Sequence, residues 1–250
     1  MDTRLAVVIM AAGKGTRMNN PSMAKVLYQI NGRPMIDWVV DLAERLDAAR
    51  TVAIVGWQKD AVIAHLMRAH PKVLCVEQNP QLGTGHAVMQ SEAPLRSFAG
   101  DVLVLSGDVP LLTEQTARGL IARHRESGAS ATVLTALVDD ATGYGRILRQ
   151  GPDGVAGIVE QKDASEEQRA IREINSGIYV FNSTRLFEGL RHITTDNAQH
   201  EYYLTDVFKY FWGANLPVTA VVAGDPEETG GINTMAQLEH ARRVLAPPGS

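Results

Sequence analysis

LAVVIMAAGKGTR, residues 5–17, opens with six uncharged apolar residues and turns at once into a loop holding two glycines, two cations and a threonine. An apolar run of that length, rich in β-branched residues, reads as a buried strand. A polar glycine loop just beyond a strand's carboxyl end is where open α/β sheets carry their ligands. The loop matches neither of the common phosphate fingerprints. A Walker loop needs a glycine five positions ahead of its Gly-Lys pair, where Val8 stands, and a Ser or Thr after the lysine, where Gly15 stands. The dinucleotide pattern fails at Met18, in the third glycine's place, and Asp37 falls in a helical pattern instead of at a strand end. What remains is a turn whose backbone amides can face an anion, with Lys14, Arg17 and, further on, Lys25 beside it. Three cations around one glycine loop suit a triphosphate; a tight turn with solvated cations is the competing reading.

Outward from this stretch, apolar runs recur at 51–56, 72–77, 101–107 and 130–138, separated by helical patterns at 35–46, 60–69 and 113–125. Strands this apolar have no wet face, so the expected class is α/β, a Rossmann-like and mostly parallel mixed sheet with helices on both faces. The second half changes character. Residues 145–164 read as two strands around a Pro-Asp-Gly turn, 175–183 as another strand, 184–190 and 201–213 as helices, 218–224 as a strand and 233–245 as a closing helix. One domain over residues 1–250 is expected, with its first part about 1–139 and 216–246 and a second lobe inserted about 140–215.

The chain of 250 residues carries a formal net charge of −4, which argues against a nucleic-acid binder. The first apolar run is too short to span a bilayer, and Lys14 and Arg17 follow it, unlike a signal peptide, so a cytoplasmic protein without membrane partners is expected. The single cysteine, Cys75, cannot form an intramolecular disulfide and no zinc-type spacing of Cys and His occurs.

The chemistry-bearing residues fall where the sheet would present ligands. In SGDVP (106–110), Asp108 follows a buried run, and an ionised carboxylate there needs a cation or several donors. Mg²⁺ would supply one, since it takes one or two protein oxygens and fills its sphere with water and phosphate. Capping of the helix near Thr113, or a turn before Pro110, is the alternative. In EQNPQLGTGHA (77–87), Gln78 and Gln81 both donate and accept, as reading a pyrimidine edge requires, while Gly83 and Gly85 let backbone approach a flat ring. Thr84 alternatively starts a helix, and His86 reads as a structural hydrogen bonder. GYGRI, VEQKDA and NSGIY place Gly145, Glu160 and Asn175 as hydrogen bonders for a hydroxylated or amide-bearing ligand, although Glu160 could equally pair with Lys162 or Arg146. In GGIN, Asn233 either caps the last helix or completes a magnesium site.

Together, AAGKGTRM, AKVL, EQNPQLGTGHA, GDVP, GYGRI, VEQKDA, NSGIY, EYYLTD and GIN resemble, in order and over most of the chain, the sugar-1-phosphate nucleotidyltransferases. The similarity is greatest to the uridylyltransferase domains of bacterial bifunctional N-acetylglucosamine-1-phosphate uridyltransferases. The resemblance implies a reaction of UTP with N-acetylglucosamine-1-phosphate, with the inserted lobe binding the sugar. Met10, Ala11, Ala12 and Gly13 would line the nucleotide, Arg17 and Lys25 the phosphates, and Gln78, Gly83 and Thr84 the uridine. Ser106, Gly107 and Asp108 would lie beside the reacting centre, Gly145, Glu160 and Asn175 would hold the acetylated sugar, and Asp108 and Asn233 would bind Mg²⁺. Arg17, Lys25 and Asp108 are the expected catalytic residues. This chain departs from the family pattern at Ala24 (usually proline), Ser106 (usually tyrosine) and Ser176 (usually threonine). It also contains no hexapeptide repeats of the β-helix that accompanies such domains, so no acetyltransferase activity is implied and a monomer is favoured over an oligomer. Two other functions stay open: a relative using another nucleotide or sugar, and a non-catalytic nucleotide-sugar sensor.

Overall fold

The computed structural model describes residues 4–15, 18, 23–151 and 154–246. Its elements in chain order are β1 (Leu5–Ala11), β2 (Gln29–Ile30), β3 (Arg33–Pro34), α1 (Met35–Arg45), β4 (Arg50–Val55), α2 (Lys59–Ala69), β5 (Leu74–Glu77), α3 (Thr84–Met89), α4 (Glu92–Leu95) and β6 (Asp101–Ser106). There follow α5 (Glu114–Ser127), β7 (Ala131–Leu137), β8 (Gly145–Gln150), β9 (Gly154–Val159), α6 (Glu166–Arg169), β10 (Glu173–Asn182), α7 (Ser183–Leu190), α8 (Asp206–Gly213), β11 (Val218–Val222) and α9 (Met235–Val244). The Pro152 and Asp153 of the expected turn lie outside the described residues.

One nine-stranded sheet has the order β5-β4-β1-β6-β10-β7-β11-β9-β8, with β8 also touching β10. The β5-β4-β1-β6 half is wholly parallel, while β10 runs against β6 and β7, and β9 against β11. The alternation within β1 shows why both faces must be covered. Ala6 and Val8 enter one core, with α7 and α8 through Leu186, Phe208 and Phe211. Leu5, Val7 and Ile9 enter the other, with α1, α2 and α5 through Val40, Leu66 and Leu120. Every one of these side chains is at most 5% exposed, so β1 cannot present either face to water. Among the described residues, no helix is long and apolar enough to cross a membrane.

The span 140–215 contributes the β8–β9 hairpin at one sheet edge and also β10, which lies at the centre between β6 and β7. One expected helix is shorter than the pattern implies. Residues 201–205 are irregular and the helix starts at Asp206, because the Tyr202 backbone is used elsewhere: its amide donates to Leu82 O (2.8 Å) and its carbonyl accepts from Gly85 N (2.7 Å). Tertiary hydrogen bonds thus override a helical periodicity.

Candidate active site

The parallel strands deliver their carboxyl ends to one place. Beyond β1, the Met10 carbonyl accepts from Gly107 N (2.9 Å) and the Ala12 carbonyl from Trp57 N (3.0 Å), which ties the glycine loop to the ends of β6 and β4. A cavity of about 340 Å³ opens there. Its walls include Met10, Ala12, Gly13, Gln78, Gly83, Thr84 and Ser106, all expected at the site, together with Gln81, Ala87 and Glu201. Ala11 instead packs its methyl into the core on the α1 side of the sheet. Glu201 has no role in the sequence reading, although it heads the EYYLTD motif, because that segment reads as a helix rather than as the strap over the 82–85 loop.

That loop is built for close approach. Gly83 has φ +105°, and a Cβ there would stand 2.6 Å from the Tyr202 carbonyl oxygen, so no side chain fits. Thr84 opens α3, and its hydroxyl accepts from Leu204 N (3.1 Å). Gln78, 5% exposed, donates its amide to Gly83 O (2.8 Å), and Gln81 donates to Ala12 O. The amide nitrogens of both glutamines are thus engaged by backbone, leaving carbonyl oxygens as their acceptors. His86 stands 3.3 Å from Gln78 Nε2 and 3.3 Å from Gln90 Nε2, and burial lowers its pKa below the ordinary histidine value. Those contacts suit a structural partner.

A second cluster lies at the end of β6. Lys25, in a 3-10 turn at Lys25–Leu27, donates its ammonium to Asp108 Oδ2 and to Asn233 Oδ1, the latter at 2.9 Å. Gly15 makes this approach feasible: its φ is +59°, and a Cβ would fall 2.6 Å from Lys25 Cβ. Asp108 is 8% exposed, and its carbonyl accepts from Ile232 N (2.8 Å), which fastens the GGIN segment against SGDVP. Neither Asp108 nor Asn233 caps a helix. Thr113 caps α5 with its own hydroxyl, and Thr234 caps α9 in a reciprocal pair with Gln237, so both capping readings fall away, while Asp108 does lie in a turn before Pro110 in which Val109 N donates to Ser106 O (3.3 Å).

The chain therefore converges one carboxylate oxygen and one amide oxygen, from positions far apart in sequence, on a single positive charge. Two hard oxygens holding a cation in a mostly buried pocket are a donor set that fits a magnesium-class ion. Gly107 is buried beside them, where a Cβ would press on Val26 Cγ1 at 3.1 Å. Lys14 is aimed elsewhere, its ammonium 5.3 Å from the Trp57 ring centroid. Arg17 lies outside the described residues.

The remaining expected residues meet where β8 touches β10. Asn175 pairs with Gly145, and a Cβ on Gly145 would lie 3.4 Å from both Asn175 Cβ and Glu160 Oε2. Asn175 donates to Tyr179 Oη (2.8 Å), and Thr205 donates to Glu160 Oε1 (3.0 Å). Burial is the main cause of a raised pKa at Glu160, reinforced by Asp163 and Asp206 and opposed by the Thr205 hydrogen bond. Among the described residues Glu160 thus forms no ion pair with Lys162 or Arg146, and Arg146 donates instead to Gln161 Oε1 at 2.8 Å. A bulge between Asn175 and Ile178 turns β10 here. The Ser176 hydroxyl fills it, donating to Leu134 O (2.6 Å) and accepting from Ile178 N (3.1 Å), two bonds a threonine hydroxyl would also make.

The chain is 50% identical over 242 residues to the bifunctional protein GlmU of Streptomyces coelicolor, and 48% identical over 241 residues to that of Syntrophotalea carbinolica. These matches cover 96% of this chain but 50% and 51% of those proteins, so the chain spans about half the length of the relatives it matches. A solved structure from Bacillus anthracis, assigned as a glucose-1-phosphate thymidylyltransferase and crystallised with sucrose, superposes with a TM-score of 0.77. It is 18% identical and covers 96% of this chain and 94% of its own, which speaks for the fold alone. The model of the MobA-like NTP transferase domain matches residues 7–204, and the chain belongs to that family of nucleotidyltransferases.

Proposed function

We propose that the protein joins UTP to N-acetylglucosamine-1-phosphate, forming UDP-N-acetylglucosamine and pyrophosphate. The observation that carries this reading is the convergence of Lys25, Asp108 and Asn233 at the end of β6, beside the cavity that contains Gln78 and Gly83. Similarity at 44–50% identity to bifunctional GlmU proteins supports the choice of sugar and nucleotide. In this reading uracil sits against the 78–84 segment. Gln78, whose NH₂ group is turned to Gly83 O and His86 Nδ1, offers its oxygen as an acceptor, which suits the N3–H of uracil and would meet a lone pair on cytosine. Gly145, Glu160 and Asn175, within the 140–215 segment, take the hydroxyls and amide of the sugar. A UTP-consuming reaction also fits a place in the cytoplasm.

A sugar-phosphate oxygen attacks the α-phosphorus, a new P–O bond forms, and the bond to the bridging oxygen of the leaving pyrophosphate breaks. A phosphate monoester is already anionic at neutral pH, so the chain needs no general base, and alignment and charge neutralisation do the work. Asp108 and Asn233 would hold a Mg²⁺ ion, which supplies Lewis-acid neutralisation of the phosphates when bound. Lys25 then exchanges its oxygen partners for phosphate, and Arg17 completes the positive surround. The test is a pyrophosphate-release assay across UTP, CTP, GTP and dTTP with several sugar-1-phosphates, with and without Mg²⁺. UTP with N-acetylglucosamine-1-phosphate and Mg²⁺ is expected to be the best combination. Greater turnover with another pair would move the specificity, and UDP-sugar binding without pyrophosphate from any pair would make the protein a sensor.

A further inference from the structure

At the opposite end of the sheet from the cleft, two helices bring together five ionisable side chains that the proposed reaction does not use. Asp37, Asp41 and Glu44 follow one another at four- and three-residue steps along α1, which places them on one helix face. His65 belongs to α2, and His70 closes that helix. Asp37 is 6% exposed; it accepts from His65 Nε2 (2.6 Å) and lies 3.3 Å from His70 Nε2. The His70 side chain is 9% exposed, its Nε2 is buried without a hydrogen-bond partner, and its Nδ1 faces Glu44 Oε1 at 3.7 Å. One ligand atom each from Asp41, Glu44 and His70 lie within 4.8 Å of one another.

The His70 ring stands between carboxylates on two sides, yet neither contact has the distance and alignment of a hydrogen bond. The spacing suits a shared ion better. Two ligands that each stand about 2.0–2.1 Å from a tetrahedral zinc are roughly 3.3 Å apart, close to the separation of His70 Nδ1 and Glu44 Oε1. Ion binding at Nδ1 would leave the other ring nitrogen facing Asp37 Oδ1, 3.3 Å away, the place from which an outer carboxylate commonly orients a ligating histidine. Arg33 binds Asp41 Oδ2 (2.6 Å), which leaves the second oxygen of that carboxylate as a donor. One imidazole with two carboxylates favours a first-row ion of the zinc type over magnesium.

We propose that His70, Glu44 and Asp41 bind a zinc-type divalent ion, with Asp37 positioning the imidazole. Since α1 leads into the start of β4 and His70 precedes the start of β5, the ion lies at the amino ends of the parallel strands and fastens the ends of the two helices together. Its consequence is stability, separate from the nucleotidyl transfer at the carboxyl ends.

The test uses the untagged full chain stripped with chelator and titrated with Zn²⁺ by calorimetry, with Co²⁺ absorption to report the ligand set. One saturable site is expected in the wild type, accompanied by a rise in Tm. Asp108→Asn should retain it, whereas His70→Gln and Glu44→Gln should each weaken it at least about tenfold, with turnover unchanged in Glu44→Gln. Glu44 has a side chain 59% exposed, so its substitution leaves folding intact even if His70→Gln does not. No saturable binding in the wild type, binding abolished by Asp108→Asn alone, or wild-type affinity in Glu44→Gln would each overturn the proposal.

Discussion

Lys25 is the side chain on which the cleft turns, because its ammonium is the charged partner of a mostly buried Asp108. Replacing the carboxylate removes the anchor for both that ammonium and a divalent ion. Asp108→Asn is therefore expected to lower kcat by about 10² or more, the usual size for losing a preorganised charge partner, while the tied backbone around Ile232 keeps the fold. Steady-state turnover at saturating Mg²⁺ checks this, and near wild-type kcat would remove Asp108 from the mechanism. Glu160 carries a different expectation. Burial makes its carboxylate costly, so it retains its proton at a pH where an ordinary glutamate has lost it. As pH falls toward that raised pKa, the site loses an anionic acceptor, and KM for the sugar phosphate should climb while KM for UTP holds. In Glu160→Gln the inflection should vanish. The sign for stability is the reverse of the usual carboxylate: the folded pKa lies above the unfolded one, so the native state binds more protons in the window between them. Stability contributed by this group is present below about 4.3 and is lost as pH rises through the raised value. A Tm-against-pH curve compared between wild type and Glu160→Gln measures that loss.

At the scale of elements, the loop that enters α3 is held by backbone, and its tolerance is small. Gly83→Ala combines a left-handed φ of +105° with a Cβ 2.6 Å from Tyr202 O, so the loop or the 201–205 strap must shift. Such strain costs about 1–3 kcal/mol, and because Gln78 donates to Gly83 O, the shift reaches the cavity wall. KM for UTP should rise about tenfold with a smaller change for the sugar phosphate; equal changes in both would mean that the loop serves the fold and not the nucleotide. How such elements were legible follows from their physics. β1, β4, β6 and β7 are legible because a strand buried on both faces leaves an unbroken run of mostly apolar and β-branched residues, and α1 because its apolar residues recur at helical spacing. The 201–205 strap was not, since its conformation is set by Leu82 and Gly85, far away in sequence. Nor was the bulge at Asn175, which depends on pairing with β7 and β8. At the cleft, residue types pointed to Asp108 and Asn233, but only the fold shows that neighbouring Thr113 and Thr234 take the capping roles. The His70 cluster left no mark in sequence spacing because its donors come from two helices joined through a strand.

Across the whole molecule, the core on the α7 and α8 face of the sheet links stability to the side of the cleft proposed for the sugar. Phe181 from β10 meets Phe208 and Phe211 from α8 at ring centroids of 5.6 and 6.3 Å, and all three are fully buried. Phe208 also lies 5.5 Å from the Tyr179 ring, whose hydroxyl accepts from Asn175. A packed aromatic therefore backs the side chain expected to face the sugar. Phe208→Ala opens a cavity in a close-packed interior, at about 3–5 kcal/mol. For a chain of this size that corresponds to a fall in Tm of about 10 °C, whereas Met67→Ala, at a side chain 69% exposed, should leave Tm nearly unchanged. Relaxation into the cavity releases the Tyr179 ring, so KM for the sugar phosphate should rise severalfold at temperatures where the variant is folded. The cavity proposed for the nucleotide sits against α3 and β1 instead, and KM for UTP should stay near wild type. Parallel increases in both constants would show that the core supports the cleft as a single unit, and an unchanged sugar KM would detach Asn175 from the Tyr179–Phe208 stack.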